Sequence, residues 1–106
     1  MVGFDAVKLL MQWDIKAGRD QEYFEFVVRE WVPGVTKLGL EPTGAWYTVY
    51  SREDQPQILA EGLAESINQM REILQSDDWH ELHDRLLDYV DNYTQKVVRL
   101  SGGFQL

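Results

Sequence analysis

His80 and His83 are the only imidazoles in this chain of 106 residues. On a helix their i, i+3 spacing puts them on neighbouring edges, with Asp84 next along and Asp77 about one turn before His80. A metal site could be drawn from that set. On spacing alone the two imidazoles read more simply as solvated or cap-related groups, so no metal and no cofactor is assigned. The other candidates for chemistry are carboxylates, above all Asp14 and Glu61, which could act as general bases if the fold encloses them. With no Cys in the chain, a disulfide scaffold, a thiolate zinc site and a Cys nucleophile are excluded. Gly102-Gly103 lacks the strand-to-helix context of a phosphate loop, and no Ser lies in anything like a nucleophile elbow. Asp77-Asp78 suits the positive end of a helix dipole.

These residues are carried by a regular succession of elements. Over residues 8–16, Leu9, Met11, Trp13 and Ile15 fall on one face and Leu10, Gln12 and Asp14 on the other, the period of a strand. Residues 17–20 break it, with Asp20 as a helix N-cap. From Gln21 to Val32 the pattern is helical, with Phe24, Val27, Val28 and Trp31 at i, i+3, i+4 and i+7, and the aromatic run Tyr23-Phe24-Glu25-Phe26 reads as core of the same helix. Pro33-Gly34 should end or kink this helix, with a short further turn through Val35 and Leu38 stopped by Gly39.

Residues 45–50 (Ala-Trp-Tyr-Thr-Val-Tyr) form the strongest strand signal. The turn-rich residues 51–56 then lead into a second strand over 57–64, making a hairpin. Ser66 and Gln69 match a capping box opening a helix to about Leu74. Ser76 starts another helix with Trp79, Leu82, Leu86, Tyr89 and Val90 on one stripe. A closing strand runs through residues 96–100.

The order is β-α-β-β-α-β with the second helix split: an α+β, ferredoxin-like antiparallel sheet with its helices on one face. The length suits one domain over residues 1–106. The uncovered sheet face does not read as polar, because the 45–50 strand is aromatic on both sides. An apolar face of that size predicts a protein interface, and the simplest closed solution is a twofold homodimer with the two sheets facing each other. With 18 acidic against 10 basic residues, a net charge of -8, no nucleic-acid partner is expected. The first residues lack the basic start and long apolar run expected of a signal peptide, and no apolar run reaches the ~20 residues of a membrane span. A cytoplasmic location is the expectation.

Three stretches resemble the dimeric α/β-barrel superfamily, the group that includes antibiotic-biosynthesis monooxygenase-like, EthD-like and NIPSNAP-like domains. They are residues 13–24 (Trp-Asp-Ile-Lys-Ala-Gly-Arg-Asp-Gln-Glu-Tyr-Phe), Ser76-Asp77-Asp78-Trp79, and Lys96-Val97-Val98. The resemblance spans Leu9 to Leu100. It implies a homodimer whose two sheets close a barrel around a pocket. Members include cofactor-free oxygenases, haem-degrading enzymes, isomerases and domains without a known reaction, so the fold does not choose the function. The haem-degrading members use a helical His as iron ligand, and His83 can be compared with it. They also place a catalytic Asn on the first strand, where this chain offers only Gln12; Asn68 and Asn92 lie elsewhere. The positive groups that haem propionates require fit poorly with the charge of -8.

If the apolar face of the first strand meets the helices, Leu10, Gln12 and Asp14 line the barrel. Trp46, Thr48 and Tyr50, then Leu59 and Glu61, and Lys96 could join them. Apolar walls with a few polar groups make a small-molecule pocket, and a carboxylate enclosed there could take a proton from a phenol or enol that then reacts with oxygen. The expected ligand-binding set is Gln12, Asp14, Trp46, Tyr50, Glu61 and His83. The expected function is binding of a small apolar or aromatic molecule, with cofactor-independent monooxygenase chemistry as the enzymatic form. The alternative is a non-catalytic dimerisation module with a filled barrel, its carboxylates paired with Lys or Arg.

Overall fold

The computed structural model describes residues 5–47 and 57–100, apart from the side chains of Trp46 and Tyr47. Four strands, β1 (Val7–Ile15), β2 (Glu41–Tyr47), β3 (Ile58–Ala64) and β4 (Val90–Arg99), form one sheet in the order β2-β3-β1-β4. Every pairing is antiparallel. The helices are α1 (Asp20–Phe26), α2 (Val32–Leu38), α3 (Ile67–Gln75) and α4 (Asp77–Leu86). This is the expected ferredoxin-like α+β arrangement.

The period-two reading of β1 holds. Val7, Leu9, Met11, Trp13 and Ile15 are buried under the helices, while Lys8, Leu10, Gln12 and Asp14 lie on the other face with more exposure. The register carries this alternation across the sheet. Leu10 pairs with Glu61 and Gln12 with Leu59 on β3, and the same two pair with Lys96 and Thr94 on β4.

Pro33 does not end the first helix. A π-helical turn over Val27–Trp31 joins α1 to α2, and Pro33 sits in the first turn of α2. Proline in a regular helix clashes with the carbonyl four residues back and lacks a donor for it; the wider turn immediately before it accommodates both. Gly39, at φ 106°, closes α2 in the left-handed conformation, and the Leu40 amide donates to the Val35 carbonyl at 3.0 Å. Gly34 allows α2 to approach α4 closely, because a Cβ there would lie 2.7 Å from a Leu82 methyl carbon.

Several boundaries differ from the sequence expectation. Asp20 is the first residue of α1 and not its cap; Arg19 is the capping position, with no side-chain cap bond. Arg19 instead donates to the Asp88 carbonyl at 3.0 Å and lies over the Tyr89 ring. Half of the capping box expected at α3 forms as read: Ser66 Oγ accepts from the Gln69 amide at 3.1 Å, while Gln69 Oε1 accepts from the Glu65 amide at 2.7 Å, one residue before the cap. Ser76 caps α4 in the same way through the Trp79 amide. β2 begins at Glu41, earlier than expected. Tyr89 and Val90 do not extend the α4 stripe: the helix stops at Leu86, a turn follows, and Val90 opens β4.

Candidate functional site

On the helix side of the sheet, five rings close into a circuit. Trp13 meets Trp31 edge-on with centroids 6.0 Å apart and stacks on Tyr93 at 5.8 Å. Trp31 reaches Trp79 at 5.7 Å, Trp79 stacks on His83 at 5.7 Å, and His83 meets Tyr93 edge-on at 4.4 Å. The π turn contributes to this circuit, since Trp31 is its last residue. Edge-on and stacked pairs of this spacing each add about 0.5–1.5 kcal/mol beyond their area burial.

Beside the circuit lies a partly enclosed apolar cleft of about 90 Å³. The sheet supplies Met11, Trp13, Ile58, Ala60 and Gly62; the helical layer supplies Tyr23, Val27, Trp31, Val32 and Val35. Leu40, Pro42 and Gly44 border it at the start of β2, where the register with β3 slips and leaves Thr43 as the extra residue. The small side chains of Ala45 and Ala60, together with two glycines, keep this wall low.

Tyr23 is the residue that periodicity hid. Its spacing in α1 describes core, and it is indeed buried. Yet its hydroxyl oxygen accepts a 2.9 Å hydrogen bond from Trp13 Nε1, and its own proton meets no acceptor among the described residues. Burial pushes its pKa up to about 12, partly opposed by the Trp13 bond. The phenol therefore stays a neutral donor. The pairing with Trp13, ten residues earlier, has no local sequence signal.

The expected site residues are not brought together in that cleft. Glu61 contributes to its lining, but its carboxylate forms a 2.9 Å ion pair with Lys8 and accepts from Thr43 Oγ1 at 3.1 Å. Asp14 is engaged at both oxygens: the Gln57 amide donates to Oδ1 at 2.8 Å and Asn92 Nδ2 to Oδ2 at 3.0 Å. Gln57 Oε1 in turn accepts from the Ile15 amide at 2.8 Å. Asn92 stands in the left-handed region at φ 58°, at the point where the β1–β4 register slips. Asp14 thus ties the start of β3 and the β4 bulge to the end of β1.

Gln12 is exposed on the open face. Trp46 is paired with Leu59 in the backbone register, while its side chain, like Thr48 and Tyr50, lies outside the described residues. The open face is more mixed than expected, with half-buried Leu10, Leu59, Leu63 and Val98 interleaved with Lys8, Gln12, Glu61, Thr94 and Lys96.

His83 packs between Trp79 and Tyr93, whereas His80 is exposed. Burial lowers the His83 pKa, with Asp84 opposing and His80 reinforcing the shift. Its Nε2 is fully buried and has no hydrogen-bond partner among the described residues. A haem iron would have to reach that nitrogen through the neighbouring rings, so these residues do not fit an axial ligand. No group of three or more His, Asp or Glu that could hold a metal ion occurs among the described residues.

No protein-family model matches the sequence, and no curated protein sequence matches it. Solved structures do match in fold. A NIPSNAP family protein from Agrobacterium tumefaciens superposes with a TM-score of 0.67 at 16% identity, over 88% of this chain and 90% of the other. An EthD family protein from Bacillus halodurans gives 0.70 at 15% identity, over 90% and 98%. A dimeric protein of unknown function with a ferredoxin-like fold, from Bacteroides fragilis, gives 0.61 at 7% identity, over 94% and 100%. The resemblance read from residues 13–24 and 76–79 is therefore borne out as a resemblance of fold. No described helix is long and apolar enough to cross a membrane.

Proposed function

We propose that this chain acts as a single domain, pairs with a second copy through its open sheet face, and binds a small, largely apolar molecule between the sheet and its first helical layer. The cleft carries this reading: apolar walls with one buried hydroxyl are the composition of a small-molecule site. The pairing is supported by the four half-buried aliphatic side chains on the open face and by the dimeric neighbour of the same fold. On this reading Gln12 and Glu61 serve the interface, and the ligand sits on the opposite side of the sheet. Oxygenase chemistry is not part of the proposal, because both expected bases are held by internal partners.

Titration of Trp fluorescence with small apolar molecules tests it, since Trp13 and Trp31 line the cleft. Ala60→Leu is expected to abolish the response while leaving the dimeric mass in light scattering unchanged. Equal affinity in that variant overturns the ligand site, and a monomeric mass at micromolar concentration overturns the pairing. One observation favours a non-catalytic assembly module instead: the cleft is smaller than the engineered cavity of about 150 Å³ that admits benzene. Absence of any response in the unaltered protein would select that module.

A further inference from the structure

We infer that the molecule held beside Tyr23 is a neutral carbonyl compound of a few non-hydrogen atoms, accepting a hydrogen bond from the Tyr23 hydroxyl; this rests on the proposed ligand function of the cleft. Indole N–H is a donor only, so the bond from Trp13 Nε1 occupies the Tyr23 oxygen as acceptor and leaves the hydroxyl proton to be donated elsewhere. No described residue accepts it. A donor kept from water without a partner forfeits its solvation, so an occupant that supplies an acceptor is favoured over one that does not.

Charge narrows the class further. The lining contains no Lys, Arg or His, and the carboxylate of its one acidic residue, Glu61, is held on the open face of the sheet by Lys8. A carboxylate or an ammonium ligand would each be desolvated there with no opposite charge to compensate it. At about 90 Å³, the space excludes an extended aromatic system. A short ketone or aldehyde meets all three conditions.

Butanone, its hydrocarbon isostere isopentane and butyrate are the probes, read by Trp fluorescence in the intact chain. Tyr23→Phe is expected to weaken butanone about tenfold, the loss of one hydrogen bond, while isopentane changes by less than about twofold. Butyrate is expected to give no response. In the unaltered protein, butanone should also shift the Trp13 indole N–H resonance in NMR, because that bond is polarised when Tyr23 donates onward; isopentane should not. The NMR comparison stands even if Tyr23→Phe does not fold. Equal loss of butanone and isopentane, an unmoved indole resonance with butanone bound, or tight butyrate binding each overturns the carbonyl assignment while leaving the cleft a ligand site. If neither butanone nor isopentane binds, the ligand function of the cleft itself fails, and the carbonyl assignment with it.

Discussion

On the helix side of β1, Met11, Trp13 and Ile15 are almost wholly buried and meet other apolar groups; one residue away, Gln12 is exposed and Asp14 meets polar groups. The same strand therefore serves two regimes. Beneath the helices the stabilising elements are ring contacts and area removed from water, and the buried side-chain hydrogen bond of Trp13 with Tyr23 is internal to the core. On the open face they are hydrogen bonds and an ion pair: Asp14 with Gln57 and Asn92, Glu61 with Lys8 and Thr43. The comparison teaches why carboxylates that look catalytic in sequence need not be. A strand end must satisfy neighbouring amides, and a carboxylate does so with two oxygens.

Four perturbations, in decreasing order of effect, test the two faces against each other. Trp13→Ala opens a cavity at the junction of the ring circuit and leaves Tyr23 without its donor. A loss of about 3–5 kcal/mol in denaturant unfolding is expected, and a loss below 1 kcal/mol would mean the circuit contributes little. Asp14→Ala strips the Gln57 amide and Asn92 of their acceptor. It should cost about 1–3 kcal/mol, with faster amide exchange at Gln57 than elsewhere in β3; unchanged exchange would refute the tie.

The third perturbation is acid. His83 has a folded pKa below its ordinary 6.5, so the unfolded chain takes up a proton that the folded chain refuses. Stability from this group is full above about pH 6.5 and declines as pH falls through the lower folded value. His83→Phe should flatten that part of the stability profile. An identical slope in the variant would show that the carboxylates alone set it. The smallest effect belongs to Glu61→Gln, which removes a partly exposed ion pair. At most about 1 kcal/mol should be lost, and less at high salt.

Much of the fold was legible because its signals are local. The alternation over β1, the Ser66 and Ser76 caps and the Gly39 stop each depend on residues within a few positions of one another. The end of α4 was not. Tyr89 and Val90 continue the spacing of Leu86, and what turns them out of the helix is placement: the Lys16 amide donates to the Tyr89 carbonyl, and Val90 pairs with Ile15. Similarly, Pro33 marks a break in sequence, but only the packed helix shows a π turn absorbing it.

The candidate site divides along the same line. Local pattern set the α+β order, the division of β1 into an apolar and a mixed face, and the shortlist of polar groups, Asp14, Glu61 and His83; packing settled which face meets the helices. Tertiary structure alone decided what each of them touches. It turned Asp14 into a tie between three strands, paired Glu61 with Lys8, and packed His83 between Trp79 and Tyr93. It also brought Trp13 to Tyr23 beside an apolar cleft. The reason is range: periodicity and capping act over a turn or two of chain, whereas burial, cavities and long-range hydrogen bonds exist only once distant segments are packed together.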